Sequence, residues 1–395
     1  MKKILPLFSF LIIFSWFTGF GQNRTIQFTE KPWAELLSQA KQENKTIFLD
    51  AYTTWCGPCK WMAAKMFTND TIADFYNKTF INAHFDMEKG EGLGLARTYQ
   101  VKGYPTLLFI SPSGELVHMR VGAPQKVKEY IDMGTVALTP GEGFIAYIKK
   151  YQEGNRDPYF MMKYFERLQG AYQPVNEPLK QYFAMQKESD MFSRANWEIL
   201  YRYVYDVDSK EFNFLLQNYK EYEKRYTADS VNAKIFGVYS QSLTALSKTN
   251  PFNESGYAQL KQKIRDAGFP TAEKIIFTGD LNIYQMRSDT ENFITLANKG
   301  IDTYFSDDYV MLNHMALNFF HIATDPQHLE KAAGWAKKSI ALKSTSANND
   351  TYANLMFKLG NKTDAIKYEK AALKEAQKER VPTQQFEETL KKFEE

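Results

Sequence analysis

The chain contains 395 residues, of which 44% are hydrophobic and 15% aromatic, so it is not a disordered polypeptide and its length predicts two or three domains. Its 49 basic and 46 acidic residues give a formal charge of +3, and we expect no nucleic acid as a partner. The 2 cysteines, Cys56 and Cys59, exclude a scaffold of several disulfides, and a zinc site at this pair would need further ligands from elsewhere.

The first residues have the pattern of an export signal. Lys2 and Lys3 precede an apolar run, and the small residues Gly19 and Gly21 favour cleavage before residue 22. An uncleaved membrane anchor is the alternative, although the run is slightly shorter than the roughly 20 residues of a spanning helix. We therefore predict a signal peptide at 1–21 and a periplasmic protein, with secretion as a second possibility and no membrane span after cleavage.

The next part of the chain alternates between strand-like and helix-like segments. The pattern predicts strands at 46–52, 80–87, 106–110 and 115–121, and helices at 32–44, 56–67, 71–76, 94–99 and 127–138. Such alternation, closed by a hairpin, describes an α/β domain, which we place at 22–138. The Pro/Gly-rich segment 139–143 breaks the pattern and is predicted to be a linker.

Residues 144–395 are predicted to form an all-α domain. Helix-periodic stretches alternate there with short polar or Pro/Gly breaks, as at 157–169, 180–187, 192–205 and 212–226.

A faint repeat occurs near the C-terminus. Ala332 and Ser339 recur as Ala365 and Ala372, which is an offset of 33 residues. This resembles the tetratricopeptide pattern, in which small residues let two helices cross closely, although Glu369 stands where an aromatic is usual. We expect an α-solenoid of degenerate, tetratricopeptide-like helical repeats.

The two cysteines lie where a predicted strand meets a predicted helix. Cys56 would stand at the N-terminus of that helix, where unpaired N–H groups and the helix dipole favour a thiolate. Cys59 would lie one turn along, close enough to attack a mixed disulfide formed by Cys56. Pro58 fits the first turn because its missing N–H would be unpaired there anyway. Thiol–disulfide exchange needs an attacking and a resolving sulfur, and this spacing provides both.

Three other interpretations of the cysteine pair remain open. A zinc knuckle would require a second Cys or His pair, and the five histidines offer none at ligand spacing within the α/β domain. An inert structural disulfide would close a loop too short to add much stability. A degenerate binding domain without catalysis is the third, although such domains usually lose a cysteine. We expect neither a metal nor a cofactor.

The segment Trp-Cys-Gly-Pro-Cys-Lys at 55–60, preceded by Asp50 and followed by Gly-Tyr-Pro-Thr at 103–106, resembles the thioredoxin superfamily. The resemblance covers less than a third of the chain and implies a central sheet flanked by helices. It also implies that Cys56 is an exposed nucleophile and Cys59 a buried resolving thiol, the two forming a redox-active disulfide.

The same resemblance assigns roles around the dithiol. Asp50 matches the buried carboxylate that in thioredoxins assists deprotonation of the resolving cysteine; a hydrogen-bonded strand-end aspartate is the alternative. Pro105 matches the family's cis-proline, beside which an extended substrate pairs, whereas the residues alone favour an ordinary turn proline. Trp55 would either form part of the contact surface or belong to the core. The implied substrate-binding residues are Trp55, Gly57, Pro58, Tyr104, Pro105 and Thr106.

The sequence departs from thioredoxins proper at two places. His84 occupies the position of a lysine near the buried carboxylate, where it would either tune the thiols or simply pack in the strand. Ala64 replaces a proline of the active-site helix. At this position and at residues 66–70, the segment is more similar to the periplasmic C-terminal domain of membrane thiol:disulfide interchange reductases than to thioredoxins.

We therefore expect an exported thiol:disulfide oxidoreductase that reduces protein disulfides, since Gly-Pro between the cysteines resembles reducing members of the family. Its partners would be protein disulfide substrates and a membrane electron-donor thiol reductase. The alternative is an interaction protein whose helical region docks a partner, with the thioredoxin-like domain as a passive or redox-gated clamp.

Overall fold

The structure, a computed structural model, describes residues 24–395, and the predicted signal peptide at 1–21 lies outside these residues. The chain divides into two compact units, of which the first ends at Ile199 and the second begins at Leu200. Between residues 24 and 395, none of the helices combines the length and the apolar character needed to span a membrane.

A four-stranded sheet forms the centre of the first unit. Its strands are β1 (Ile47–Tyr52), β2 (Ile81–Asp86), β3 (Thr106–Ile110) and β4 (Leu116–Val121). They lie in the order β2-β1-β3-β4, with β1 parallel to β2 and antiparallel to β3, and β3 antiparallel to β4. β1 and β3 are central and almost wholly buried, which explains their unbroken apolar runs.

Helices flank this sheet and complete the predicted α/β architecture. They are α1 (Trp33–Glu43), α2 (Gly57–Lys65), α3 (Asp70–Thr79), α4 (Gly92–Thr98) and α5 (Val127–Leu138). The core between the sheet and α2, α3 and α5 is rich in aromatic rings, including Phe48 and Phe109. Tyr76 and Tyr130 join it with both hydroxyls hydrogen-bonded: the Tyr76 hydroxyl donates to the Tyr130 carbonyl at 2.9 Å, and the Tyr130 hydroxyl to the Pro124 carbonyl at 3.1 Å. The predicted strands and helices of this part are confirmed.

The first compact unit continues past the predicted linker at 139–143, which forms the turn between α5 and the next helix. The following elements are α6 (Phe144–Gln152), α7 (Pro158–Gly170), α8 (Asn176–Ala184), a short 3₁₀ helix (Glu188–Phe192) and α9 (Arg194–Tyr203). The boundary between the two units falls within α9. α6 and α7 pack against β4. At the start of α6, a Cβ on Gly143 would lie 2.5 Å from the carbonyl oxygen of Val117 in β4, so only glycine fits there.

The second unit is entirely helical. Its helices are α10 (Lys210–Gln217), α11 (Tyr219–Tyr226), α12 (Ala228–Ser247), α13 (Glu254–Asp266), α14 (Ala272–Met286), α15 (Thr290–Tyr304), α16 (Tyr309–Ile322), α17 (Pro326–Leu342), α18 (Ser346–Lys358), α19 (Lys362–Glu379) and α20 (Gln384–Glu394). The prediction of one helical stretch at 212–226 is wrong in one respect: two helices, α10 and α11, occupy this range. The chain leaves helical geometry at Asn218 (φ −116°, ψ 19°), whose side-chain amide donates to the Phe214 carbonyl and ends α10.

Successive helices at the C-terminal end pack against one another, from α16 to α20. The four small residues that recur in the sequence lie on α17 and α19 and are fully buried: Ala332, Ser339, Ala365 and Ala372 are each 0% exposed. Small buried side chains allow these helices to approach their neighbours closely.

Candidate active site

The two cysteines form a disulfide at the N-terminus of α2. Cys56 caps the helix from an extended conformation, and its Sγ accepts a 3.1 Å hydrogen bond from the Cys59 N–H. Pro58 lies in the first turn, where no N–H is needed. In the reduced form, the same N–H groups and the helix dipole would stabilise a thiolate at Cys56.

The disulfide is largely shielded from solvent. Cys56 is 2% and Cys59 5% exposed, so the expected contrast between an exposed nucleophile and a buried resolving thiol is absent in this oxidised form. Cys56 Sγ is bonded to Cys59 Sγ and accepts the Cys59 N–H in the first turn of α2. Gly57 and Pro58, which lie between the cysteines, are exposed.

Asp50 is a buried carboxyl in the central strand. It is 5% exposed, and its Oδ1 has no hydrogen-bond partner within the described residues, which argues against a hydrogen-bonded strand-end aspartate. Burial raises the pKa of Asp50 to about 7, because removal from water disfavours the charged form. This carboxyl can therefore take up or release a proton near neutral pH.

Periodicity places Asp50 and Cys59 at the same interface between β1 and α2. Phe48 and Met62 belong to one core cluster. Asp50 follows Phe48 by two residues and points to the same face of the sheet, while Cys59 precedes Met62 by about one helical turn. β1 runs towards the dithiol, so Asp50 lies nearer to it than Phe48 does. α2 runs away from the dithiol, so Cys59 lies nearer to it than Met62 does. Asp50 and Cys59 are therefore at the same end of the interface.

His84 stands beside Asp50 in the register of β1 and β2. Its imidazole stacks on the ring of Phe28, with ring centroids 4.9 Å apart. The centroid of the Tyr52 ring is 5.6 Å from that of the imidazole. Partial desolvation lowers the pKa of His84, which favours the neutral ring at neutral pH. His84 is otherwise exposed to solvent, and its ring packs against Phe28 and Tyr52 on the surface of the strand.

Trp55 is a surface residue and does not belong to the core. It is 65% exposed, and its indole N–H donates a 2.9 Å hydrogen bond to Oε2 of Glu88. Its ring meets that of Tyr104 edge-on at 6.0 Å. The rings of Trp55 and Tyr104 therefore form one aromatic surface beside the dithiol. Glu88 was not predicted, since an acidic residue in a polar loop gives no sequence signal.

The peptide bond between Tyr104 and Pro105 is cis. The Pro105 carbonyl accepts a 2.8 Å hydrogen bond from the N–H of Gly122, which follows β4. Thr106 differs from expectation: its side chain is fully buried and donates to the Gly103 carbonyl at 2.7 Å, so it holds the loop and does not face a substrate. Pro105 is itself buried.

No group of three or more His, Cys, Asp or Glu side chains suited to a metal ion occurs in the part of the chain that the structure describes. The two sulfurs of Cys56 and Cys59 can supply thiol–disulfide exchange at this site, and the buried carboxyl of Asp50 can supply proton transfer.

Comparison with known proteins covers the same part of the chain. A model of the Thioredoxin family matches residues 24–133. The chain is 35% identical to thioredoxin H4 of Arabidopsis thaliana over 95 residues, which is 24% of this chain and 75% of that protein. It is 30% identical to thioredoxin H3 of the same plant over 98 residues, 25% of this chain and 77% of that protein.

A solved structure from Bacteroides thetaiotaomicron, described as a candidate disulphide-isomerase, is 43% identical over 29% of this chain and 96% of that one, with a TM-score of 0.27. The length and identity of the match to the plant thioredoxins establish the relationship, and the chain belongs to the thioredoxin family. It has the thioredoxin-like oxidoreductase fold, with Cys56 and Cys59 as its disulfide-forming pair.

Proposed function

We propose that the chain is an exported thiol:disulfide oxidoreductase that reduces protein disulfides with the pair Cys56 and Cys59. The observation that carries the proposal is the disulfide at the start of α2, with Cys56 as the helix cap and Cys59 one turn along. A pair in this position can form and break the Cys56–Cys59 disulfide, and the helix N-terminus would stabilise the Cys56 thiolate in the reduced form.

In the proposed reaction the Cys56 thiolate attacks one sulfur of a substrate disulfide. A mixed disulfide forms and the other substrate sulfur leaves as a thiolate. The Cys59 thiolate then attacks Cys56 Sγ, which forms the Cys56–Cys59 disulfide and releases the second substrate sulfur. Two electrons pass from the chain to the substrate, and a reduced donor must return two electrons before the next cycle.

Asp50 serves as the proton acceptor for Cys59 in this reaction. A thiol at its ordinary pKa of about 8.5 is mostly protonated at pH 7, so the second attack requires loss of a proton. A carboxyl whose pKa burial raises to about 7 is well matched to that transfer, because the pKa of an efficient general base lies near the working pH.

The direction of electron flow and the compartment are part of the proposal. The Gly-Pro pair between the cysteines supports a reductant, and the apolar leader at 1–21 supports export into the periplasm. An oxidising compartment would then require a membrane electron-donor thiol reductase as partner. A reduction potential near the thioredoxin value of about −270 mV would support this direction, whereas one near about −120 mV would reverse it.

The test is reduction of insulin disulfides by the full chain with dithiothreitol as electron source. We expect the wild type to reduce insulin and Cys56→Ser to fall to the uncatalysed rate. Cys59→Ser should accumulate mixed disulfides with its substrates, because the resolving sulfur is missing. Lys65→Ser, an exposed change on the same helix, is the matched control and should retain full activity.

Equal, near-background rates for the wild type and Cys56→Ser would refute the enzymatic proposal. The helical region would then be the functional part, with the thioredoxin-like domain as a passive clamp. Trapping by Cys59→Ser in cells would in the positive case identify the natural substrates.

A further inference from the structure

The helices that follow the sheet bring an exposed aromatic side chain to the active-site end of β4. α7 runs beside β4, and a Cβ on Gly170, its last residue, would lie 3.8 Å from Cδ of Arg120. Arg120 is followed by Val121, which pairs with Thr106 at the end of the sheet nearest the dithiol. The C-terminus of α7 therefore lies at the same end of the sheet as the cis-proline loop.

The chain then turns sharply at Tyr172. This residue adopts a left-handed conformation (φ 49°) that is uncommon for tyrosine, and its N–H donates to the Gln169 carbonyl at 3.0 Å. The Tyr172 hydroxyl lies 3.8 Å from the position that a Cβ would take on Gly122. Gly122 is the residue whose N–H is hydrogen-bonded to the Pro105 carbonyl.

Tyr172 is 72% exposed, so most of its ring faces solvent. Two other aromatic residues are accessible at the same loop: Trp55 is 65% exposed, and Tyr104 is partly exposed. Tyr104 precedes Pro105 in the chain. Tyr172 lies beside Gly122, whose N–H is hydrogen-bonded to the Pro105 carbonyl. An exposed aromatic residue from outside the region that matches the family, which ends at residue 133, thus approaches the cis-proline loop.

We propose that Tyr172 contacts the polypeptide whose disulfide is reduced and so helps to determine which substrates the chain accepts. The inference rests on the proposed function. The fitting partner is an extended segment with an apolar or aromatic side chain close to its cysteine, since exposed tyrosine and tryptophan rings contribute strongly to such contacts at little entropic cost. A small disulfide lacks such a segment.

The experiment compares two disulfides with the full chain: insulin, and hydroxyethyl disulfide as a small probe without a polypeptide. We expect Tyr172→Ala to lower kcat/KM for insulin about fivefold, through KM, and to leave the rate with hydroxyethyl disulfide within about twofold of the wild type. Tyr172→Phe should retain insulin activity because it keeps the ring.

Tyr159→Ala is the matched control. Tyr159 is 66% exposed and lies in the first turn of the same helix, roughly 15 Å or more from the end at Gly170. This variant should behave as the wild type with both disulfides.

Three results would overturn the inference: unchanged insulin reduction in Tyr172→Ala, faster insulin reduction, or an equal loss with both disulfides, which would indicate a structural role. A wild type that is inert towards both disulfides would refute the proposed function and this inference with it. An active wild type with an unaffected Tyr172→Ala would refute the inference alone.

Discussion

The indole of Trp55 is fixed to the loop after β2 by a single hydrogen bond, from Nε1 to Oε2 of Glu88 at 2.9 Å. This bond joins the residue that precedes the dithiol to a segment 33 positions further along the chain. Because Trp55 is exposed, the hydrogen bond contributes to the orientation of the ring more than to the stability of the fold.

Glu88→Ala should release the Trp55 ring and raise KM for insulin about two- to threefold, while the rate with hydroxyethyl disulfide stays unchanged. The free energy of unfolding should fall by less than about 1 kcal/mol, because the lost bond is solvent-exposed. The control is Glu91→Ala in the same loop. The Glu91 carboxylate accepts a hydrogen bond from the backbone N–H of Trp33, whereas the Trp55 indole donates to Glu88. A loss of equal size in both variants would contradict the assignment.

Asp50→Asn should slow the resolution of the mixed disulfide at neutral pH. The wild-type rate constant for this step is expected to rise as the pH passes about 7, where the Asp50 carboxyl becomes basic, and the variant should lack this rise. Rapid-mixing measurements of mixed-disulfide decay between pH 5.5 and 8.5 would show it. The same pH profile in both proteins would exclude Asp50 as the proton acceptor.

The same substitution should stabilise the folded protein at high pH. Burial raises the pKa of Asp50 to about 7 from its ordinary value near 4, so the folded state holds a proton that the unfolded state has lost between these values. Wild-type stability therefore falls as the pH rises from about 4 to 7. Above pH 7 we expect Asp50→Asn to be more stable by roughly 2–4 kcal/mol, and near pH 4 to equal the wild type. Thermal unfolding of the oxidised proteins at pH 4 and pH 8 would check this.

A second buried carboxyl makes the stability of the second unit sensitive to pH. Glu369 on α19 is 0% exposed, and burial together with the nearby carboxyl of Asp350 raises its pKa. The folded state therefore favours the protonated form, and stability declines as the pH rises above the ordinary carboxyl range. Glu369→Gln should reduce this decline and raise the free energy of unfolding by about 2 kcal/mol at pH 9. Glu387→Gln, exposed on α20, should change neither quantity.

Two helical glycines should respond oppositely to substitution by alanine. A Cβ on Gly300 in α15 would lie 2.1 Å from a ring carbon of the buried Phe277, so Gly300→Ala should destabilise the chain by about 1–3 kcal/mol. Gly334 in α17 is exposed and would place its Cβ in open space, so Gly334→Ala should stabilise by about 0.5–1 kcal/mol. Denaturant unfolding would measure both, and a stabilised Gly300→Ala would contradict the packing described.

Local signals in the sequence predict most of the first unit. The apolar runs of β1 and β3 and the helix that begins after Cys56 depend on short segments whose residue types restrict the backbone. The roles of Asp50 and Pro105 needed the family resemblance as well, because a lone aspartate or proline in such a segment has simpler explanations.

Contacts between distant segments were not predictable. The bond from Trp55 to Glu88 and the approach of Tyr172 to Gly122 involve exposed residues that obey no periodicity, so no pattern marks them. The break at Asn218 depends on the dihedral angles of one residue. The burial of Cys56 depends on the packing around the disulfide, which the sequence alone does not specify.

The packing of α6 and α7 against β4 also determines where this chain can be cut. An uncovered edge strand offers its N–H and C=O groups to any other extended chain and promotes aggregation. A fragment that stops at residue 138 would expose β4 in this way, although it contains the whole region that matches the family. A fragment that retains α6 and α7 keeps the strand covered, whereas a cut at the boundary between the two units, after Ile199, would divide α9.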